Sequence, residues 1–335
     1  MSSELVIYKA NRIRALQNSY TANVSRIYNA LTQNIRRVQV LRATVRAKQT
    51  QITSIINQYY RDQAALTDAF NKSKQAIQNF TPAVIKTPAR KRALLIGINY
   101  IGTTSELFGC INDVNAIKER IIKVGFSDIN IKIITDLTPK KPTRATILEE
   151  FKQLLSTAQA SDVLFFCYSG HGSFTIDRNS DETDGRDEMI VSCDLQGIVD
   201  DELKALIQTY LKPGVTLFAM FDSCFSGSVL DIKYQYLDSL NYDNYTENEK
   251  QLETQGNVFM ISGCTDKQTS ADAVINNKAS GAMTWSFLEA AKEKPGCTWR
   301  ELIKSMRDKL KLSEFDQIPQ FSSGTFVDID ATIFI

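Results

Sequence analysis

This 335-residue chain contains few residues of several types, and each scarcity limits the functions that the chain can have. It has one histidine, so a reaction that needs an imidazole must use His171. Its six cysteines include no Cys-x-x-Cys pair, and with one histidine they do not make the ligand set of a structural zinc site. No apolar run is long enough for a membrane span, and the first residues lack the apolar core of a secretory signal. These absences predict a cytoplasmic protein.

Glycine and proline are absent from residues 1–81, and acidic residues are scarce there. Residues 1–92 carry 16 Lys or Arg and 3 Asp or Glu, a net charge of +13, which leaves −12 for residues 93–335. Without helix breakers one long helix, or two, is permitted, and apolar residues recur with heptad spacing. We therefore predict a basic, coiled-coil-like helical domain over residues 1–85. The predicted seam contains Val24, Ile27, Leu31, Val38, Leu41, Val45, Ile52, Ile55, Tyr59 and Leu66.

Several partners for this basic region are compatible with the sequence. The heptad seam favours self-association, and charge favours docking against the acidic remainder of the chain, whereas a solvated helix surface needs no partner. Nucleic acid or an anionic membrane is a weaker alternative, because no aromatic residues interleave with the basic ones in a binding motif. An Arg-rich, acid-poor start is also typical of mitochondrial targeting, which is the minor alternative for localisation.

Thr81-Pro82 and Thr87-Pro88 end the helical pattern, so we place a linker at 86–91 and a second domain at 92–335. Apolar runs of strand length alternate there with helical segments, and the runs are continuous, as in parallel strands covered on both faces. The predicted fold is α/β, a mostly parallel sheet sandwiched by helices. The predicted strands are Ala93–Tyr100, Ile129–Thr135, Asp162–Tyr168, Val215–Phe221, Val258–Ser262 and an edge strand, Thr325–Phe334.

Two of these strands end in reactive residues. His171 lies in Ser-Gly-His-Gly after the third strand, and Cys224 lies in Asp-Ser-Cys-Phe-Ser-Gly after the fourth. Ligands of such sheets bind beyond the carboxyl ends of the strands, so both residues are expected at one rim. A nucleophilic thiol needs an imidazole to take its proton, and His171 is the one available. The amides of Gly172 and Cys224 are candidate donors to an oxyanion.

These motifs resemble those of the metacaspases, clan relatives of the caspases, and residues 91–335 look most like a type I metacaspase. The resemblance implies a caspase-like fold, with Cys224 as nucleophile, His171 as general acid and base, and Gly172 with Cys224 as the oxyanion hole. It also implies a specificity pocket, and a pocket with two carboxylates and no arginine should take Lys or Arg rather than Asp. The pocket residues implied are Cys110, Asp113, Ser169 and Asp222, and further matching segments are 92–100, 109–113, 198–201, 262–264, 271–272, 281–287 and 317–320.

A crowded set of carboxylates spans residues 177–201. Like charges this dense repel one another unless a hard cation joins them, although a solvated acidic loop is the rival interpretation. Metacaspases that this chain resembles are commonly activated by calcium, so the resemblance implies Ca²⁺ as an activator. The positions that match the metal site are Asp187, Asp200, Asp201 and Asp231.

Residues 232–257 look like the surface loop that calcium-dependent relatives cut in themselves. Basic residues there and at the linker are candidate self-cleavage sites, namely Lys233, Lys250, Arg90, Lys91 and Arg92. The leading hypothesis is thus a self-processing, calcium-dependent cysteine endopeptidase whose protein substrates carry Lys or Arg before the scissile bond. The alternative is an inert or weakly active scaffold that acts by assembly through its helical region.

Overall fold

The computed structural model describes residues 3–41, 44–79, 90–176, 186–223, 230, 232–236, 245–248, 251–263, 272–275 and 278–333. The chain divides into two compact units, residues 1–84 and residues 85–335. This division falls within a few residues of the boundary expected from the two Thr-Pro pairs. Across the described residues, no helix combines the length and apolar character needed to cross a bilayer.

The N-terminal unit is a pair of long helices, α1 (Ser3–Gln39) and α2 (Val45–Asn79). The helices run antiparallel: Lys9 near the start of α1 donates to the carbonyl of Gln78 near the end of α2. Midway along, the Tyr20 and Phe70 rings lie 4.7 Å apart, and the Tyr20 and Thr67 hydroxyls are 3.1 Å apart. The helical region therefore packs against itself within one chain.

The predicted heptad seam is wrong at the turn between these helices. Leu41 and Val45 were expected to continue the seam, but their side chains are exposed, Val45 at 85%. Val38, one turn before, is buried, and Ile52, one turn after Lys48, is half-buried. The chain reverses between them without glycine or proline, because the two amphipathic stripes can then cover each other.

The second unit is built on an eight-stranded sheet with the order β2-β1-β3-β7-β10-β13-β8-β9. The pairs from β2 to β10 are parallel and the remaining pairs are antiparallel. The predicted α/β class is confirmed. The strands of this sheet are β1 Lys91–Gly97, β2 Ile131–Thr135, β3 Val163–Ser169, β7 Thr216–Asp222, β8 Tyr234–Tyr236, β9 Thr246–Glu247, β10 Asn257–Ser262 and β13 Gln320–Ser323.

Helices cover both faces of this sheet, as the continuous apolar strands predict. Leu94 and Ile96 face a core shared with α4 and α5, while Ala93 and Leu95 face a core shared with α3, α6 and α7. The helices are α3 Cys110–Lys123, α4 Arg144–Ser156, α5 Asp200–Tyr210, α6 Ala282–Glu293 and α7 Trp299–Leu312. Two small antiparallel sheets complete the unit, β4 Gly172–Ile176 with β5 Arg186–Val191 and β6 Gly197–Val199, and β11 Asp272–Ile275 with β12 Lys278–Gly281.

The predicted edge strand Thr325–Phe334 is wrong. The last strand is β13, which pairs antiparallel with β10 and begins at Gln320. Of the residues described beyond it, Thr332 makes an isolated bridge to Thr298. The polar sequence of β13 gives no pattern typical of a buried strand, although Ser322 and Ser323 are fully buried.

Some residues of the predicted surface loop 232–257 belong to the eight-stranded sheet. Tyr234 and Tyr236 of β8 are buried, and both rings pack with Tyr245. The phenol of Tyr236 also donates to the carbonyl of Val327. Tyrosines that look like polar loop residues in the sequence therefore form a small aromatic core. Residues 237–244 and 249–250, including Lys250, lie outside the described residues.

Candidate active site

The register of β3 and β7 places the two reactive segments at one level of the sheet edge. Ser169 at the end of β3 is the parallel partner of Asp222 at the end of β7. His171 follows Ser169 by two residues, as Cys224 follows Asp222. Adjacent strands lie about 4.8 Å apart, so the expected rim is formed by these two strand ends. Cys224 itself lies outside the described residues.

The imidazole of His171 has a defined partner that the sequence did not indicate. Its Nε2 lies 2.7 Å from the backbone carbonyl oxygen of Ser105, in the loop between β1 and α3. A carbonyl oxygen can only accept, so Nε2 must carry a proton in this bond. The neutral ring then has its lone pair on Nδ1, which fixes the tautomer needed by a general base.

Two buried tyrosines hold the His171 backbone. The amide of His171 donates to the Tyr100 hydroxyl at 2.8 Å, and the Tyr168 hydroxyl lies 2.7 Å from the His171 carbonyl. Both hydroxyls also lie within 2.8 Å of the Val191 carbonyl. Burial raises the pKa of each phenol, so both stay neutral. A Cβ at Gly170 would come within 2.6 Å of the Tyr168 hydroxyl, so glycine is required there.

The turn that carries the Ser105 carbonyl begins at a strained residue. Tyr100 has φ of +53°, a left-handed conformation that is rare for a bulky residue. Its hydroxyl bonds and its ring, 4.6 Å from the His171 ring, tie this backbone to the site. Strain of this kind persists where surrounding contacts fix it, and here those contacts also position the imidazole.

The predicted pocket residues Asp113, Ser169 and Asp222 come together beneath the rim, and all three are buried. Asp113 accepts hydrogen bonds from the Ser169 hydroxyl at 2.8 Å and the Ser280 hydroxyl at 2.6 Å. Cys110, the fourth predicted pocket residue, is buried one helical turn before Asp113 on α3. Ser280 was not predicted, because a lone serine in a polar strand gives no signal in the sequence.

Gly281 separates the two pocket carboxylates. Its amide donates to both oxygens of Asp113 at 3.0 Å, and the amide of Thr284 donates to Asp222 at 2.8 Å. A Cβ at Gly281 would lie 2.1 Å from Oδ2 of Asp222 and 2.9 Å from Oδ2 of Asp113. The backbone of Gly281 therefore fills a space too narrow for any side chain.

The pocket has an unusual charge balance. Burial and the negative charge of Asp222 raise the pKa of Asp113 to about 7, against the opposing hydrogen bonds from Ser280, Ser169 and Gly281. Burial and the charges of Asp113 and Asp222 also raise the pKa of the neighbouring Cys167 thiol. Two such carboxylates form a site where a cation would relieve repulsion.

Three of the four predicted metal ligands lie together. One carboxylate oxygen each of Asp187, Asp200 and Asp201 lie within 4.8 Å of one another, while Asp231 is outside the described residues. Burial, and then the charges of Asp201 and Asp187, raise the pKa of Asp200 to about 7, although amide bonds oppose this shift. Two calcium ligands at 2.3–2.6 Å span at most about 5 Å, so the three oxygens are close enough for one ion.

The acidic cluster is connected to His171 through the small sheet. Asp187 belongs to β5, and Val191 at the end of that strand donates its amide to the His171 carbonyl at 3.0 Å. Asp200 and Asp201 follow β6 directly and begin α5. One cluster segment thus lies in the strand that contacts the histidine segment, and the other follows the next strand of the same sheet.

The basic residues of the linker are structural. Lys91 and Arg92 begin β1, where they pair with Val163 and Leu164 of β3, and β2 pairs with β1 from Ala93 onward. Arg90 and Arg92 pair with the fully buried Asp162, at 2.7 and 3.9 Å. Cleavage after Lys91 or Arg92 would require removal of a central strand, so the structure disfavours these two predicted sites. Asp162 explains the basic character of Arg90 and Arg92 without processing, and the Lys91 ammonium donates to the Val124 carbonyl.

Lys233 also makes several contacts in the folded chain. Its ammonium lies 3.3 Å from Glu247 and 5.8 Å from the centroid of the Tyr234 ring, and its carbonyl accepts the amide of Asn248. A protease must draw its substrate into an extended conformation, so cleavage after Lys233 would first break these contacts.

Comparisons with known proteins agree with this arrangement. The family model described as metacaspase, peptidase C14 domain, matches residues 91–233. Metacaspase-1A of Neurospora crassa is 36% identical, over 72% of this chain and 64% of that relative, and Metacaspase-1A of Aspergillus terreus is 34% identical, over 79% and 78%. Protein GSU0716 of Geobacter sulfurreducens superposes with a TM-score of 0.53 at 24% identity, over 71% of this chain and 95% of that one.

A parallel sheet with a histidine and a cysteine segment at adjacent strand ends defines a caspase-fold cysteine peptidase. The chain belongs to the metacaspase family. The helices α1 and α2 lie outside the matched family domain.

Proposed function

We propose that this chain is a calcium-activated endopeptidase that cleaves after Lys or Arg and processes itself. The observation that carries the specificity is the buried pair Asp113 and Asp222, which face each other across Gly281. A Lys or Arg side chain that reaches the mouth of this pocket beside Gly281 would bring a positive charge close to both carboxylates. An Asp side chain would add a third negative charge to a buried site, so it is rejected.

In the proposed mechanism, Nδ1 of His171 takes the proton of the Cys224 thiol, and the Ser105 carbonyl stabilises the resulting imidazolium through Nε2. The thiolate adds to the substrate carbonyl carbon, and the amides of Gly172 and Cys224 hold the oxyanion. His171 then returns the proton to the leaving amine as the peptide bond breaks. Water, deprotonated by the same Nδ1, hydrolyses the thioester and releases Cys224.

The specificity is tested with four peptides that differ only in the residue before the scissile bond, Arg, Lys, Asp or Asn. We expect kcat/KM for Arg and Lys to exceed that for Asn by on the order of 10³-fold, because a desolvated charge pair is lost with Asn. Equal cleavage of Asn and Arg peptides, or a preference for Asp, would disprove the assignment. Cys224→Ala serves as the blank.

Binding of a cation in this pocket should depend on pH. Below about pH 7 the raised pKa of Asp113 makes its carboxyl neutral in the free enzyme, so a guanidinium loses one of its two partners. The affinity of a small alkylguanidine inhibitor should therefore fall about tenfold per unit as the pH decreases below 7. Inhibition constants between pH 5.5 and 8.5 measure this effect without requiring catalysis.

Ser280→Ala provides the control for this profile. The Ser280 hydroxyl lowers the pKa of Asp113, so its removal should move the midpoint to higher pH. A constant inhibitor affinity across this pH range would contradict the role assigned to Asp113.

The acidic cluster fits calcium. It offers hard carboxylate oxygens, two of its three members are buried, and the charges of Asp201 and Asp187 add to burial in raising the pKa of Asp200. Asp187, Asp200 and Asp201 would hold the ion, with Asp231 as the fourth candidate. Bound calcium would neutralise the cluster and hold β5 and the start of α5 together.

Calcium should stabilise the protein against heat. A ligand present at 100 times its Kd stabilises the folded state by about 2.7 kcal/mol, and a chelator should reverse this gain. Asp200→Asn should remove most of the calcium-dependent rise in Tm and increase Tm without calcium, because it removes a buried like charge. The exposed carboxylate variant Asp308→Asn is the matched control and should respond to calcium as the unmodified chain does. An unchanged calcium response in Asp200→Asn would disprove this site.

A further inference from the structure

The turn between the two N-terminal helices exposes a set of aliphatic side chains. Val40 is 81% exposed, Leu41 47% and Val45 85%, and all three lie where α1 ends and α2 begins. We call these three residues the hairpin tip. Their neighbour Val38 is buried in the seam, so the hairpin core is already closed beneath them.

Basic side chains surround the hairpin tip. Arg36 and Arg37 are exposed in the last turn of α1, and Arg46 is exposed in the first turn of α2. Lys48 lies behind them, with its ammonium 2.8 Å from the Gln39 carbonyl. The positive charges therefore come from both helices.

Negative charge is absent from this end of the hairpin. Residues 5–61 contain no Asp or Glu, and the next acidic residue, Asp62, lies about 25 Å along α2 from Val45 at 1.5 Å per residue. No intrahairpin carboxylate thus neutralises the arginines around the tip. The positive electrostatic field of these arginines is therefore directed away from the hairpin.

Aliphatic side chains ringed by arginines match an anionic bilayer surface. The aliphatic groups can enter the boundary between headgroups and acyl chains, while the guanidinium groups bind phosphate and carboxylate headgroups. Single exposed apolar residues are ordinary on proteins, but three at the end of a basic hairpin are concentrated where a surface can be reached. Nucleic acid binding would use the arginines but gain nothing from Val40 or Val45, since bases stack on aromatic rings.

We propose that the hairpin tip inserts into the surface of membranes that contain anionic lipids, through Val40, Leu41 and Val45, with Arg36, Arg37 and Arg46 on the headgroups. The role is separate from peptide cleavage. From the sequence alone, an anionic membrane was the weaker alternative. The folded hairpin favours it, because folding gathers the basic and apolar residues at one turn.

The test uses the full chain carrying Cys224→Ala, which keeps the hairpin attached. Its sedimentation with phosphatidylcholine vesicles is compared with and without phosphatidylserine. We expect the protein to bind only the vesicles that contain phosphatidylserine, and we expect added salt to weaken this binding. Each arginine lost near an anionic surface lowers partitioning roughly fivefold, so Arg36→Ala with Arg37→Ala should lower it on the order of 20-fold. Val40→Asp with Val45→Asp should abolish it.

Matched controls separate the tip from general charge and general exposure. Arg14→Ala with Arg26→Ala removes two exposed arginines of α1 away from the tip, and Ile129→Asp alters a 91% exposed residue of the second unit. Both controls should keep binding within a few-fold. A Val45→Trp variant should be quenched by brominated acyl chains.

Three results would overturn the proposal. Equal losses for the two arginine pairs would indicate diffuse charge, and an unaffected Val40→Asp and Val45→Asp variant would indicate headgroup attraction without insertion. Tighter binding to a DNA duplex than to phosphatidylserine vesicles would identify nucleic acid as the partner. Circular dichroism confirms that each variant keeps its helices.

Discussion

Replacing His171 by alanine is expected to reduce turnover on the order of 10⁴-fold, because the chain has no second imidazole. Cys224→Ala should have at least as large an effect. The double variant should be no worse than Cys224→Ala alone, since residues that act as one unit are not additive. Turnover of an Arg peptide, measured for all three variants, checks this expectation.

The loss in His171→Ala should be traceable to the thiol. Alkylation of Cys224 near neutral pH, followed by mass spectrometry of its peptide, should slow in His171→Ala because less thiolate is present. Cys193→Ala is the matched control, since that thiol is half-buried and burial raises its pKa. Unchanged alkylation of Cys224 in the His171 variant would mean that another group activates the nucleophile.

Gly281→Ala is expected to reduce kcat/KM for Arg and Lys peptides on the order of 10³-fold, chiefly through KM. The added methyl would lie 2.1 Å from Asp222 and 2.9 Å from Asp113, so at least one carboxylate must leave its position. Removing one partner of a buried charge pair carries a cost of this size. The substitution changes no charge and requires no unusual backbone angle, because φ of Gly281 is −65°.

Gly263→Ala is the matched control. Its methyl would approach the same carboxylate, Oδ1 of Asp222, at 3.5 Å, which is an ordinary contact. This variant should keep kcat/KM within a few-fold, and both variants should unfold cooperatively. If Gly281→Ala cleaves Arg peptides normally, the two aspartates do not form the specificity pocket.

Much of this site could be predicted because residue type and strand position carry the information. His171 and Asp222 lie at or just after the ends of apolar strands, whose burial on both faces was visible in the sequence, whereas Asp113 lies in α3. The Ser105 carbonyl was not predictable, since every residue has a carbonyl and only the path of the chain beyond Tyr100 brings this one to the imidazole. Sequence patterns report side chains, and the partner of the imidazole is a backbone atom.

The errors have a common physical origin in tertiary context. β13 is polar yet buried, because β10 and β8 pair with its backbone on both sides. Arg92, a candidate cleavage site in the sequence, also has a structural partner, because its guanidinium pairs with the buried carboxylate of Asp162. The reversal between α1 and α2 likewise depends on the mutual covering of two stripes.

The small sheet of β4, β5 and β6 has a thermodynamic consequence. It carries Asp187 on β5, leads into Asp200 after β6, and bonds the His171 carbonyl through Val191. If a cation held by these strands tightens inhibitor binding at the catalytic groove by some factor, linkage requires the inhibitor to tighten cation binding by the same factor. The Kd of the ion, measured with and without inhibitor, would then report active-site occupancy.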